Sequence, residues 1–412
     1  MRATAICLLF LANNLVLTAA NPAENGARTP APQLHSPPSP AIDWNSLGFS
    51  LNNLSTSFMW LDQISGSSAH ATFDGAGGGS GKLSSGWGSD HLGRLVPLRE
   101  LSLHPASTIL NYGQGLFEGI KAFRQKDGTI RIFRCDKNAK RFRDGASRLM
   151  IPPVPEPVFI EACEAVVAAN AEFVPPHGAG ALYLRPILFG SGKQLGVSPS
   201  PEFTFCIYCS PVGNYFKGGV GSILPIRLLA QKTYQRAANK GIGFVKAVGN
   251  YAPVFKCQDE VRKAGFNEAL FLDSCEEHIE EAGASNFFVY SKSRNLLVTP
   301  ELDGNILAGV TRASVIEIAR DQGIKVEERK LKLKELCDFD EAFCCGTGAS
   351  VTPVGSVEVE GGEDSYVFGD EGKTAGDLTK KLYQILHDIQ WGINDCGGKY
   401  KKWSRVVKPR SK

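Results

Sequence analysis

The sequence has little excess charge of either sign and no long basic run. Its 45 Lys and Arg residues nearly balance 42 Asp and Glu residues, so the 412-residue chain carries a formal net charge of +3. That charge is too mild to predict a nucleic-acid partner. A long apolar run is also missing, because Asn13 and Asn14 interrupt the hydrophobic stretch near the start and make it a poor membrane span. We therefore expect neither a nucleic-acid partner nor a membrane partner.

The signatures of several large enzyme classes are absent as well. The chain contains no G-x-S-x-G, no H-E-x-x-H and no phosphate loop ending in Gly-Lys-Ser/Thr. GAGGGSGK at 75–82 resembles such a loop superficially. No strand pattern precedes it, however, and Leu83 occupies the Ser/Thr position.

Cysteine usage does not indicate a disulfide scaffold. The odd number of cysteines, 11, and their irregular spacing favour a reducing compartment. Cys206 and Cys209 form a lone C-x-x-C within FTFCIYCSPV, which has a strand pattern. Because no second pair or histidine follows at zinc spacing, we expect no metal site and interpret both residues as buried strand cysteines.

Residues 1–42 form a leader region, which we expect to be disordered or removed and exclude from the fold. Their first 20 residues combine an apolar stretch with a small-residue end, as a secretory signal does. Low acidity throughout 1–42 also fits an organellar transit peptide. Composition leaves these alternatives open, and the cysteine usage weighs against secretion.

Strand and helix patterns alternate over most of the remaining chain, which predicts an α/β fold of two domains. A Gly-rich break at 213–223 is the predicted linker between domains at 43–212 and 224–395. The basic segment 396–412 is predicted to be a solvated tail. Small ligands usually bind in the cleft between two such domains.

Lys246 lies among small residues in GFVKAVGNY, directly before an apparent helix start. Partial desolvation there favours the neutral amine that a Schiff base requires, although a lysine near glycines is far more often an ordinary loop residue. HIEEAGASNFF places Glu280 and Glu281 before a strand, where a carboxylate can pair with a pyridinium nitrogen. The competing interpretation is a solvated charge pair, which we expect for Glu280.

Three further segments have the character of anion sites. The helix that is predicted to start at Val310 and Thr311 offers free N–H groups, and so does the small-residue turn in CCGTGASV at 344–351. RFRDGASRL supplies Arg141 and Arg143, whose planar guanidinium groups suit phosphate. An ordinary helix cap and a solvated helix face are the competing interpretations.

YLRP at 183–186 places Tyr183 and Arg185 on the same strand face, because side chains two apart point the same way. Together they can present a phenol and a guanidinium to one substrate carboxylate. Structural ion pairing is an equally weighted interpretation.

Taken in order, these motifs resemble the branched-chain amino-acid aminotransferases, which are fold-type IV enzymes dependent on pyridoxal 5'-phosphate (PLP). The resemblance spans roughly residues 42–392 and includes LNYGQGLFEGIKAF, SPVGNYFKGG, GFVKAVGNYAPV, EEAGASNFFV and ILAGVTR. IDWNSLGFSL, NYGQGLFEG and SPVGNYFKGG look most like the plant members. The resemblance implies a smaller N-terminal and a larger C-terminal α/β domain, with PLP in the cleft between them.

The resemblance also implies roles for individual residues. Lys246 is the implied catalytic residue and holds PLP as a Schiff base. The other implied cofactor contacts are Arg141, Val310, Thr311 and Thr347 for the phosphate, Tyr251 for the phenolic oxygen and Glu281 for the pyridinium nitrogen. The implied substrate-binding residues are Tyr112, Phe117, Tyr183, Arg185, Tyr215, Thr347 and Gly348. Among them, Tyr183 and Arg185 are expected to recognise the side-chain carboxylate of glutamate.

The implied reaction transfers the amino group of L-leucine, L-isoleucine or L-valine to 2-oxoglutarate, and the reverse. A homodimer is also implied, with the pocket completed across the interface, and a plastid is favoured over a mitochondrion. Ala284, Ala308 and Gly348 depart from the usual pattern, which leaves a PLP-binding protein without turnover open. The alternatives within the fold are a D-amino-acid aminotransferase and an aminodeoxychorismate lyase.

Overall fold

Two β-sheets carry the fold in the computed structural model, which describes residues 34–51, 56–65, 87, 93–213, 223–362 and 364–410. The strands of the first sheet are β1 (Phe58–Ser65), β2 (Arg94–Pro97), β3 (Gly115–Phe117), β4 (Ile120–Arg124), β5 (Ile130–Phe133), β6 (Ala181–Gly190), β7 (Glu202–Val212) and β18 (Ser404–Val406). Their order is β18-β5-β4-β6-β7-β1-β2, β3 pairs with β6, and the paired strands are antiparallel. A turn at Asp127 and Gly128 joins β4 and β5 as a hairpin.

The second sheet uses the chain from residue 226 to residue 367. Its strands are β8 (Ile226–Gln231), β9 (Glu268–Leu272), β10 (His278–Ala282), β11 (Asn286–Ser291), β12 (Leu296–Thr299), β13 (Lys325–Glu328), β14 (Leu331–Lys332), β15 (Glu341–Gly346), β16 (Ser350–Val359) and β17 (Ser365–Val367). The order is β13-β12-β11-β15-β16-β8-β9-β10-β14, with β17 on β16. This sheet is mixed, because β8 runs parallel to both β9 and β16.

Helices flank both sheets. Their bounds are α1 (Thr108–Tyr112), α2 (Cys135–Arg148), α3 (Glu156–Ala169), α4 (Val254–Lys263), α5 (Val310–Asp321) and α6 (Asp377–Gln390). Leu378, Leu382 and Ile389 form a buried apolar stripe on α6. Within the described residues, no helix is both long enough and apolar enough to span a bilayer.

A shared hydrophobic cluster joins the two sheets. It contains Phe123 and Phe133 from the first sheet, Phe288 and Phe343 from the second, and Leu382 from α6. The rings of Phe288 and Phe343 stack with centroids 4.9 Å apart. This common core fixes the position of one sheet against the other and so defines the cavity between them.

Gly145 lies inside α2, although glycine weakens helices. A Cβ at this position would meet Leu116 Cδ1 at 3.1 Å and Val245 Cγ1 at 3.2 Å. The missing side chain lets β3 and the segment before Lys246 pack closely against α2. Gly145 therefore weakens α2 slightly, but it allows the close packing that brings the segment of Lys246 into position.

The solvated tail predicted at 396–412 is wrong for the described residues. Tyr400, Trp403 and Val407 are at most 8% exposed, and β18 pairs with β5. The guanidinium carbon of Arg134 lies 4.1 Å from the Trp403 ring centroid. The Lys-rich composition concealed these apolar residues, which alternate with the basic ones.

The ten cysteines that the structure describes are unpaired. Cys206 and Cys209 are buried in β7, as predicted. Burial raises the pKa of each of these two thiols to about 12. They are therefore unreactive packing residues in this strand.

Candidate active site

A cavity of about 330 Å³ lies between the two sheets. All the predicted site residues line it except Tyr112 and Tyr215. Tyr215 falls outside the described residues. Tyr112 is 43% exposed on α1, and its hydroxyl donates to the carbonyl of Leu195. The position predicted for Tyr112 in the substrate pocket is therefore not met within this chain.

Lys246 enters the cavity from a loop that is held by β3. Phe117 N donates to the carbonyl of Lys246 over 3.1 Å, and Leu116 forms a β-bridge with Ala247. The ammonium nitrogen of Lys246 donates to the hydroxyl of Tyr251 over 2.9 Å and lies 4.6 Å from the Phe117 ring centroid. A lysine held this way presents its amine to the cavity beside a phenol.

Glu281 lies in a second wall of the cavity, on β10. Its carboxylate accepts hydrogen bonds from Leu307 N at 2.9 Å and from Asn286 Nδ2 at 3.1 Å, and it forms an ion pair with Arg236. Burial raises the pKa of Glu281, while Arg236 and the Leu307 N–H act in the opposite direction. A buried carboxylate with fixed partners suits a cationic ring nitrogen.

Glu280 does not form the solvated charge pair that we expected. It is 3% exposed and accepts a hydrogen bond from Asn305 Nδ2 over 2.8 Å. Burial raises the pKa of Glu280 to about 7. The register of β10 shifts between Ile279 and Ala282, so the alternation of a regular strand does not separate the two glutamates.

A third wall is formed by the N-terminus of α5. The helix begins at Val310 after Gly309, without a side-chain cap. Within the described residues, the backbone N–H groups of Val310 and Thr311 have no acceptor. Arg141, from α2, donates to the carbonyl of Ala308 over 2.9 Å and so brings its guanidinium to the same end. Donors in this arrangement can bind an anion such as a phosphate group.

Glu118 orients Arg141 and was not singled out in the sequence. It is fully buried and accepts from Arg141 Nε and Nη2, each over 2.7 Å. Burial alone would lower the pKa of Arg141, but the Glu118 carboxylate raises it. Arg143, the alternative arginine, pairs instead with Asp144 and Glu156 at the surface. The LFEGIKAF motif contains Glu118, so its place in the motif was the available signal.

The remaining wall presents aromatic rings and one guanidinium. Arg185 lies over the rings of Phe117 and Tyr183, with its guanidinium carbon 4.8 and 5.4 Å from the centroids. Phe49 packs edge-on against Tyr183 with the centroids 5.0 Å apart. Phe49 was not among the predicted site residues. This wall combines apolar surface with one positive charge.

The turn between β15 and β16 closes the cavity. Thr347 and Gly348 line it, as predicted. In the described part of the chain, the backbone N–H groups of residues 347–349 have no acceptor. Free amides in a tight turn bind carboxylate or phosphate oxygens.

The donor set fits PLP. A lysine amine beside a phenol suits its carbonyl carbon, the Glu281 carboxylate suits its ring nitrogen, and the α5 terminus with Arg141 suits its phosphate. The described residues contain no cluster of His, Cys, Asp or Glu that could hold a metal ion.

The chain is similar in sequence to known proteins. Residues 115–357 match the family model described as amino-transferase class IV. The chain is 44% identical over 304 residues to the chloroplastic branched-chain-amino-acid aminotransferase 5 of Arabidopsis thaliana, covering 74% of this chain and 71% of that one. It is 39% identical to the mitochondrial branched-chain amino acid aminotransferase 1 of Humulus lupulus, covering 85% and 82%.

Solved structures give the same result. The branched-chain aminotransferase of the thermophilic archaeon Thermoproteus uzoniensis with norvaline is similar with a TM-score of 0.65 and 29% identity, covering 76% of this chain and 97% of that one. A branched-chain amino acid aminotransferase with pyridoxamine 5'-phosphate is similar with a TM-score of 0.67 and 26% identity, covering 86% and 99%. The family match spans more than half of the chain. The chain therefore belongs to the class IV aminotransferases, with the fold-type IV α/β architecture.

Proposed function

We propose that this protein is a PLP-dependent transaminase that exchanges the amino group of a branched-chain L-amino acid with 2-oxoglutarate. The observation that carries the proposal is the convergence of Lys246, Glu281, Arg141 and the α5 terminus on one cavity. The aromatic wall around Arg185 supports the substrate class. The names of the relatives support transamination of branched-chain amino acids.

PLP, when bound, supplies an electron-withdrawing ring that accepts charge from the substrate Cα. Lys246 is the base that moves the Cα proton, because its amine is the one that enters the cavity beside Tyr251. With PLP bound, Glu281 would hold its ring nitrogen, and Arg141, Val310 and Thr311 would anchor its phosphate. With these contacts in place, the substrate is oriented rather than merely bound.

One pocket must accept two unlike side chains. Phe117 and Tyr183 offer ring faces to leucine, isoleucine or valine, and Arg185 offers a guanidinium to the distal carboxylate of glutamate. The turn at Thr347 and Gly348 binds the α-carboxylate that both substrates share. The aliphatic and the acidic substrate therefore share the turn that binds the α-carboxylate. Their side chains use different groups, which are the aromatic rings for one and Arg185 for the other.

The test is an absorbance spectrum of the purified protein with PLP. We expect a visible band at about 410–420 nm that shifts to shorter wavelength with L-leucine and returns with 2-oxoglutarate. Lys246→Ala should lack the band. A response to D-alanine but not to L-leucine would favour a D-amino-acid enzyme, and a band that ignores every amino donor would indicate binding without turnover.

We infer a homodimer in which Tyr112 contributes to the partner's cavity. Tyr112 lies outside its own cavity, on a surface with exposed Leu110, Leu195 and Val197. Such an apolar surface is typical of an interface. Sedimentation of the holoenzyme should give a dimer, and Tyr112→Ala should lower activity. A fully active monomer would contradict the inference.

We propose a plastid location, with the mitochondrion as the second candidate. Both locations occur in the names of the relatives, and the low acidity of residues 1–42 fits a transit peptide. Fusion of residues 1–60 to a fluorescent protein in plant cells tests this. Accumulation in the secretory pathway would overturn it.

A further inference from the structure

One buried guanidinium, that of Arg236, contacts three chain segments of the cavity. It forms an ion pair with Glu281 and donates to the carbonyls of Gly243 at 3.1 Å and Asn305 at 2.7 Å. Gly243 lies in the loop that carries Lys246, and Asn305 lies in the loop that leads into α5. The side chains of Arg236 and Glu281 are 3% and 4% exposed, so water screens their interaction poorly.

Glu281 lies where burial favours its neutral form. Burial raises its pKa, and Arg236 is the largest opposing influence. The Leu307 N–H and the charges of Lys246 and Arg141 act in the same direction as Arg236 but less strongly. Arg236 is therefore the principal group that favours the carboxylate over the carboxylic acid.

Two other acids share this buried region. Burial raises the pKa of both Glu268 and Glu280 to about 7. When either is ionised, its negative charge disfavours a second charge on Glu281. The requirement for a cation beside Glu281 is correspondingly greater.

We propose that Arg236 is a positioning residue that keeps the proton shared by Glu281 and the pyridine nitrogen of PLP on the nitrogen. This inference rests on the proposed function. The guanidinium attracts the ionised carboxylate of Glu281 and not the neutral acid, so it favours the state in which the proton would be on the ring nitrogen. The protonated ring is the stronger electron acceptor. Arg236 thus acts through Glu281, without touching the substrate.

The experiment compares five holoenzymes: wild type, Arg236→Met, Arg236→Lys, Glu281→Gln and the Arg236→Met/Glu281→Gln double variant. Without amino acid, the visible cofactor band is recorded against pH to find the midpoint for protonation of the Lys246 linkage. A protonated ring nitrogen lowers that midpoint, because like charges on one conjugated system repel. Arg236→Met should raise the midpoint by about one pH unit. Glu281→Gln should raise it too, and the double variant should not exceed Glu281→Gln.

Arg236→Lys keeps the charge but has a different shape, so it should retain a midpoint close to wild type. Circular dichroism checks the fold of each variant. An unchanged midpoint in Arg236→Met overturns the role of Arg236. The role is also overturned if Arg236→Met shifts the midpoint as much in the Glu281→Gln variant as in the wild type, because Arg236 would then not act through Glu281. If the midpoint of Arg236→Lys shifts as far as that of Arg236→Met, the role of Arg236 is also overturned. The effect would then come from the shape of the side chain and not from its charge. No visible band in wild-type protein supplied with PLP would contradict the proposed function itself.

Discussion

The guanidinium of Arg185 lies on the aromatic wall of the cavity. Its Nε is buried and has no hydrogen-bond partner among the described residues. A cation over ring faces is partly stabilised without a carboxylate. This environment explains how the pocket can hold an aliphatic side chain without leaving Arg185 wholly uncompensated.

Arg185→Ala should separate the two substrates. We expect kcat/KM for glutamate to fall by about 100-fold, which corresponds to the loss of a buried charge pair, and that for leucine by less than about fivefold. Steady-state kinetics with each amino donor measures this. Arg143→Ala, which changes a surface arginine on α2, is the matched control. Equal losses for glutamate and leucine would contradict the role.

Glu268 should make stability depend on pH. It lines the cavity, and burial raises its pKa to about 7. The folded state therefore holds a proton that the unfolded chain has released, and the stabilisation present at acidic pH is lost as pH rises through about 7.

Glu268→Gln should remove this dependence, since glutamine keeps the acceptor for Ala284 N. Between about pH 5 and 8, the free energy of unfolding of the wild type should fall more than that of the variant, on the order of 1.4 kcal/mol for each unit of pKa difference. Urea denaturation at several pH values measures it. Exposed Glu277→Gln is the control, and parallel curves for Glu268→Gln and wild type would refute the assignment.

Sequence reasoning placed the chemistry-bearing residues but not the groups that orient them. Arg141 was chosen over Arg143 through family resemblance, and the structure explains the choice by Glu118. Arg236 gave no signal, because its contact with Glu281 joins positions 45 residues apart. Glu280 was misread for the same reason. Its partner, Asn305, lies 25 residues away, so local composition suggested solvent.

At the scale of elements, α5 begins where it does because Gly309 leaves room. A Cβ at Gly309 would lie 2.0 Å from Asn286 Oδ1. Asn286 in turn binds Glu281 and the carbonyl of Leu307. The start of α5 therefore packs directly against Asn286, which holds Glu281 in place.

Gly309→Ala should displace Asn286 and loosen both the phosphate end and Glu281. We expect a stability loss of about 1–3 kcal/mol, as for other overpacked sites, and faster release of PLP. Thermal unfolding measures the loss of stability. Dialysis followed by cofactor fluorescence measures the release of PLP. Gly249→Ala, whose added Cβ meets nothing within 4 Å, is the control. Full PLP retention in Gly309→Ala would show that the helix start tolerates the shift.

Elements with strong periodicity were predictable and those with mixed composition were not. β6, β7 and α6 follow regular apolar patterns, and the structure confirms them. β18 did not stand out, since its three residues lie in a Lys-rich segment and gain their stability from β5. Pairing between distant strands is a tertiary effect that local pattern does not reveal.

At the scale of the whole molecule, Trp403 belongs to the cluster that joins the two sheets. Trp403→Ala should lower the free energy of unfolding by about 3–5 kcal/mol, because it leaves a large void in a buried position. Chemical denaturation monitors the loss. Lys402→Ala, at the neighbouring exposed residue, is the control and should leave the free energy of unfolding unchanged. A small effect for Trp403→Ala would show that the end of the chain is peripheral to folding.

The late position of β18 has a consequence during synthesis. The first sheet begins at residue 58, yet β5 receives its outer neighbour only from residues 404–406. During translation, the polar backbone edge of β5 stays unpaired on this side until residues 404–406 have left the ribosome. A nascent chain that stalls before residue 404 would thus expose a strand edge to other chains, so the synthesis of residues 404–406 protects the chain against aggregation.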